Sequence, residues 1–256
     1  MQNSAKLSTV REPEEPGELS ERRNGRQAEG QPVLSRRQRR KIATRAALLN
    51  AAEQVIAIKG VYLAVIEEIT ERADVAKGLF YQYFRDRDDL LHALLVRRLN
   101  DLRNVIDAVP VEGTVVDRVG TMIGHHLDYF LRHEDFLLFL HQIRGLIKMK
   151  KDEVSGVRET YRDHILFVAE ALFPDALKVP AKKKMAEEIA CSLLGLLTGF
   201  LSHYVIIGSL KNLVVDRERI GQALTQACLG FVREYNGVLA TARKGAHSAS
   251  TGTPAA

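Results

Sequence analysis

Residues 60–90, GVYLAVIEEITERADVAKGLFYQYFRDRDDL, decide the fold of this chain. Ile66, Ile69, Thr70 and Ala73 recur at helical spacing, the run Ala73-Asp74-Val75 interrupts them, and Val75, Leu79, Phe80 and Phe84 resume the pattern on a second axis. So short a turn makes the two helices cross steeply, which is the outline of a helix-turn-helix at about residues 65–84. Phe80 and Phe84 take the inner face of the second helix. Lys77, Tyr81, Gln82 and Tyr83 lie on or beside the opposite face, which is rich in hydrogen-bond donors. Glu67 and Glu68 open the leading helix, where carboxylates complement the amide dipoles. Asp86, with Asp89 three residues on, predicts a capped start of another helix near Arg87.

Working outward, Leu48, Leu49, Ala51, Ala52, Val55 and Ile56 mark an amphipathic helix that Gly60 closes, and it completes a small three-helix core. Ahead of it the charge is uneven. The whole chain of 256 residues carries only +5, but Arg36, Arg37, Arg39, Arg40, Lys41 and Arg45 crowd together. Residues 1–35 hold Pro and Gly among Glu, Arg, Ser and Gln with few large apolar side chains, so residues 1–41 are expected to be a disordered basic arm. The arm lacks the apolar run of a secretory signal, so a cytoplasmic, nucleoid-associated location is expected. Residues 239–256 are expected to be a disordered tail. Cys191 and Cys228 lack CxxC spacing and are expected to be buried thiols in a reducing compartment.

Beyond Arg85 the sequence reads as all-α. Helices are expected from about Arg85 to Ala108, Thr114 to Arg132, Glu134 to Lys148, Val157 to Phe173, Ala181 to Gly208 and Asp216 to Asn236, with Pro110, Gly113, Pro174 and Pro180 between them. The stretch IACSLLGLLTGFLSHYVIIG at 189–208 is as long as a membrane span and follows Lys182, Lys183 and Lys184. A membrane-associated helical protein anchored by 189–208 is therefore the competing reading. Ser192, Thr198, Ser202, His203 and Tyr204 inside the run favour instead a helix buried in a soluble bundle, with no membrane partner. Gly195 and Gly199, with Ala223, Leu224, Ala227 and Phe231 of the following helix, are expected to pair with a second copy around a twofold axis.

The residues LLNAAEQVIAIKG and ITERADVAKGLFYQYFRDRDDLL resemble the first helix, helix-turn-helix and fourth-helix entry of the TetR-type bacterial transcriptional regulators. The resemblance covers about Arg45 to Leu95. It implies a DNA-binding domain at 42–102, a helical effector-binding and dimerisation domain at 103–238, a homodimer, and release from operator DNA when a small molecule binds. This chain departs from the family pattern at Ala64 and Val65, where a capping Thr or Ser is usual, at Asp74 for the turn Gly, at Ala76 for Ser, at Leu79 for Thr, and at Arg87 for Lys. Asp74 tolerates a left-handed backbone and is expected to cap the third helix in place of the missing Ser.

The segment Val75–Phe84 is then expected to enter the major groove of an operator, with Lys77, Leu79, Gln82 and Tyr83 near base edges or adjoining sugars and phosphates. Gly78 lets it approach closely. Thr44, Arg45, Tyr81 and Arg87 are expected to hold the DNA backbone. The expected effector is apolar or amphipathic, an acyl chain or an aromatic compound, in a cavity lined from among Met122, His126, Phe130, Phe139, Ile143, Tyr161, Ile165, Val168, Leu197, Phe200, His203 and Tyr204. About a third of these are expected to face it. No GxGxxG, GxSxG or HExxH occurs, neither Cys adjoins a His, and the histidines lack local ligand spacing. The chain is thus expected not to be an enzyme, and neither metal nor cofactor is expected.

Overall fold

The computed structural model describes residues 34–108, 112–149, 155–207 and 211–249. Every regular element among them is helical: α1 Arg36–Lys59, α2 Ile66–Arg72, α3 Lys77–Phe80, α4 Arg87–Asp107, α5 Val115–Arg132, α6 Glu134–Met149, α7 Ser155–Leu172, a 3-10 turn Ala176–Lys178, α8 Pro180–Ile207, α9 Lys211–Val215 and α10 Arg217–Ala249. One compact unit begins at Lys41, and the described residues before it, 34–40, fall in another.

The basic run Arg36–Lys41 does not belong to an arm: it is the beginning of α1. Ser35 explains this, because its Oγ accepts from the Gln38 amide while Gln38 Oε1 accepts from the Ser35 amide, a reciprocal capping box that launches the helix. Arg, Gln and Lys are good helix formers, so their charge and their helicity are compatible. Residues 1–33 lie outside the described residues. At the other end α10 continues to Ala249, so the expected tail from 239 is helical for that length, and 250–256 lie outside the described residues.

Local chemistry fixes the turns around the helix-turn-helix. Gly60 ends α1 at φ +79°, with its amide donating to Ile56 O at 2.7 Å. Between α2 and α3, Asp74 adopts φ +53°. The Val75 amide donates to Thr70 O and the Asp74 amide to Glu71 O, which together make a Schellman ending with Asp74 in the place that Gly usually holds. Asp74 does not cap α3 as expected: Ala76 is the N-cap and has no side-chain cap, nor has Val65 at α2. Asp86 does cap α4, accepting from the Asp89 amide at 2.8 Å, while Asp89 reaches back to the Arg85 amide.

α4 joins the two halves of the compact unit. Its early residues Leu90, Leu91, Leu94 and Leu95 are buried beside the helix-turn-helix core of Phe80 and Phe84, and its later ones, Leu99, Leu102 and Ile106, are buried where α5 and α7 pack. Glu53 of α1 forms ion pairs with Arg97 and Arg98 of α4 at 2.6 and 2.5 Å, and Tyr129 of α5 donates to Arg98 O.

The long apolar helix α8 is long and apolar enough, over Lys182–Val205, to cross a membrane. It packs against α7 and α10 and buries Ala186, Ile189, Ala190, Leu193, Leu197 and Leu201 as a core seam. Its hydroxyls are satisfied within the helix, Ser192 donating to Glu188 O, Thr198 to Leu194 O and Ser202 to Thr198 O. Cys228 is buried, which pushes its thiol up to about 11, but Cys191 is exposed, contrary to the expectation for it.

Candidate DNA-binding face and effector cavity

α2 and α3 cross on the inward side chains of Ile69, Thr70, Phe80 and Phe84. That leaves Lys77, Gly78, Tyr81 and Gln82 exposed on one surface, while Leu79 is half-buried and Tyr83 packs partly against the core. A methyl added at Gly78 would meet nothing within 4 Å, so this surface is open at its centre. Tyr81 packs its ring edge-on against Phe80 at 5.3 Å, which holds the hydroxyl outward. The exposed Arg45 guanidinium lies 5.2 Å over the Phe84 ring, so α1 contributes a fixed cation beside α3. Thr44 is half-buried on the same helix.

Two residues expected to contact DNA, Lys77 and Arg87, are otherwise engaged. Lys77 pairs with Glu67, which raises the lysine pKa and lowers that of the carboxyl, so a phosphate would have to displace the carboxylate. Arg87 Nη1 donates to the carbonyls of Tyr62 and Ala64 at 3.2 and 3.4 Å. It therefore ties α4 to the loop between α1 and α2 instead of projecting from the DNA-binding face. Sequence spacing places a residue on a helix but does not show which carbonyls from another element come within its reach.

The carboxy-terminal helices enclose a cavity of about 590 Å³ between α4, α5, α6, α7 and α8. Of the expected lining residues, His126, Phe130, Tyr161 and Ile165 face it. Met122, Phe139, Ile143, Val168 and Leu197 are ordinary core, Phe200 and Tyr204 pack partly buried near one another, and His203 is exposed. Leu99, Leu140 and Leu194 complete the apolar wall, and Arg144, Arg158, His164, Cys191, Gly195 and Thr198 are polar or small lining groups the sequence did not disclose. They come from separate helices whose rotation about their axes is set by packing.

Two imidazoles meet in the cavity wall. His126 Nδ1 lies 2.8 Å from Met122 O, a pure acceptor, so that nitrogen carries the proton and Nε2 offers a lone pair. His164 Nε2, 3.4 Å away, is then the donor. Burial lowers both, His126 to about 4 and His164 well below its ordinary value; His125 lowers His126 further, and His126 lowers His164. Tyr161 is pushed up to about 12 by burial. Arg144 Nη2 donates to Thr198 Oγ1 at 3.1 Å, and its guanidinium sits 5.8 Å over the Tyr161 ring.

α6 faces both regions. Leu140 and Arg144 line the cavity, while Gln142, on the other side of the helix, accepts the Val61 amide at 2.6 Å through Oε1. A methyl at Gly145 would come within 2.8 Å of the Tyr62 hydroxyl, so the helix also passes close to that loop.

Residues 48–94 match the family of bacterial regulatory proteins described as the tetR family. This match assigns residues 48–94 to the TetR family. The Transposon Tn10 TetC protein of Escherichia coli is 24% identical over 201 residues, 77% of this chain and 91% of that protein. The HTH-type transcriptional regulator HbdR of Aromatoleum sp. strain CIB is 35% identical over 65 residues, 25% of each chain. Among solved structures, the transcriptional regulator FadR from Bacillus subtilis, in complex with stearoyl-CoA, superposes with a TM-score of 0.57 at 14% identity, over 72% of this chain and 96% of that one. At that identity the likeness speaks for the TetR fold. The expected helix-turn-helix at 65–84 falls inside the matched residues.

Proposed function

We propose that this TetR-family chain is a sequence-specific DNA-binding transcriptional regulator, a repressor that an apolar or amphipathic small molecule releases from a palindromic operator. The observation that carries the DNA-binding part is the single exposed surface of Lys77, Gly78, Tyr81 and Gln82, flanked by Arg45, on a rigid Phe80–Phe84 core. Gln82 and Tyr81 supply donors and acceptors at α3, Gly78 permits close approach, and Arg45 and Thr44 suit the phosphates. The cavity supports the effector part: its volume lies within the usual range for ligand sites, and its wall is mostly apolar with few polar groups. α6 supplies the physical route between them, because a ligand that moves Leu140 or Arg144 also moves Gln142 against the loop ahead of α2.

The protein acts as a homodimer in this reading. Ala223, Ala227 and Phe231 are exposed along α10, and Gly199 of α8 has open space where a side chain would stand. Leu224 packs within its own chain and Gly195 lines the cavity, so these two are withdrawn from the interface. Regulation of this kind takes place in the cytoplasm, where the DNA is.

In vitro selection from random duplexes tests the proposal. It should return two half-sites related by a dyad, bound by a protein whose mass in solution is twice that of the chain. No enriched sequence would reject the specific-operator reading, and a monomer bound to a single half-site would reject the dimer.

A further inference from the structure

Resting on the cavity as an effector site, we propose that its ligand is an anionic amphiphile, with a hydrocarbon chain in the apolar interior and a carboxylate or phosphate head at Arg144 and Arg158. Among the described residues no Asp or Glu lines the cavity. Among the described lining residues, the two imidazoles and the Tyr161 hydroxyl are held neutral at pH 7 by burial. The His126–His164 pair uses one proton on each ring and is buried well below its ordinary range, and the Tyr161 hydroxyl is buried well above it. The charge on the wall is therefore carried by the guanidinium groups.

Both arginines belong to exposed positions, Arg144 on α6 and Arg158 on α7, so they mark the open side of the cavity rather than its floor. Among the described residues no carboxylate lies within ion-pair distance of either. Arg144 is held by Thr198 Oγ1 and the Tyr161 ring, which orders the side chain before a ligand arrives and leaves further N–H donors for it. A cationic head would be repelled there, and an uncharged head would lose charge-assisted hydrogen bonds. One anion reaching both guanidinium groups would also link α6 to α7, and α6 is the helix that holds the α1–α2 loop through Gln142.

The test uses the full chain and ligands of one chain length below their micelle concentrations: dodecanoate, dodecanoyl-CoA, dodecan-1-ol and dodecyltrimethylammonium, with CoA alone as a chain-free control. Calorimetric Kd values should favour the anionic ligands over the alcohol by about 10-fold, the scale expected for two solvent-exposed ion pairs, with the ammonium compound weakest. The double substitution Arg144→Gln with Arg158→Gln should bring the anionic ligands to the level of the alcohol and leave the alcohol unchanged. A preference for dodecanoate identifies a free carboxylate as the head, and one for the thioester identifies the CoA phosphates. Equal affinity for alcohol and anion overturns the head-group inference while leaving the cavity in place, as does a preference that survives the double substitution. Failure of all the chain-bearing ligands overturns both, and tight binding of CoA alone overturns the amphiphile.

Discussion

Gly60 and Gln142 lie far apart in the chain, and a double-mutant cycle between them tests whether α6 holds the loop ahead of the helix-turn-helix. Val61 is fully buried and its amide donates to Gln142 Oε1 at 2.6 Å, so Gln142→Ala strands that amide, at a cost of about 1–3 kcal/mol. Gly60→Ala forces a side chain onto φ +79°, which costs about 1–2 kcal/mol. Its new methyl would also stand 3.0 Å from Gln142 Oε1 and push the acceptor off the Val61 amide. With Gln142 already shortened, Gly60→Ala adds only the backbone strain. The double variant should therefore be less destabilised than the sum of the singles by about 0.5–1 kcal/mol, the scale of coupling between touching residues. Urea unfolding of all four proteins at one protein concentration gives the comparison, since dimerisation would otherwise shift the midpoints. Strict additivity, or a Gln142→Ala protein as stable as the parent, would refute the reasoning. Operator affinity measured on the same proteins would show whether the loop's grip also sets the pose of α2 and α3.

The buried imidazoles make stability depend on pH. His126 titrates at about 4 when folded and near 6.5 when unfolded, so the unfolded chain binds the extra proton between those values and stability rises with pH across that window. The gain from His126 is about 3 kcal/mol, flat above pH 6.5 and lost as pH falls toward 4, and His164 adds in the same direction. His126→Leu should flatten this part of the stability–pH curve, and an unchanged slope would show the ring is not buried neutral. Gly78→Ala should raise thermal stability slightly, since Ala is favoured over Gly in a helix by about 1 kcal/mol and the methyl meets nothing. The same substitution should weaken operator binding, and unaltered affinity would move the DNA off this face. Gln82→Ala should cost about 1–3 kcal/mol of discrimination at one base position in a competition assay while leaving unfolding unchanged. Replacing Arg36, Arg37, Arg39 and Arg40 with Gln should reduce the slope of log affinity against log salt by about 0.9 for each phosphate the protein no longer neutralises, and an identical slope would leave this run without a role on DNA.

Much of the DNA-binding unit was legible because its signals are local. Helical spacing placed Phe80 and Phe84 inward, Gly60 and Asp74 marked the chain reversals, and Asp86 announced α4, since each of these acts within one helical turn of itself. The basic run shows where local reading fell short: charge density suggested an arm, while Ser35 and Gln38 formed the cap that makes it helix. The cavity was legible only in part. His126, Phe130, Tyr161 and Ile165 line it, but Met122, Val168 and Leu197, equally apolar and on neighbouring turns of the same bundle, face the core instead.

The sequence by itself determined that this chain is helical, that it carries a helix-turn-helix with an unusual turn residue, and which surface of α3 is polar. Periodicity, capping and turn chemistry depend on neighbours a few positions away. Tertiary structure alone decided that Arg87 serves a loop, that His164 completes a pair with His126, and that Arg144 and Arg158 share one cavity. These depend on how helices far apart in the chain rotate and pack, which is set by the fit of whole faces and not by any single residue's spacing.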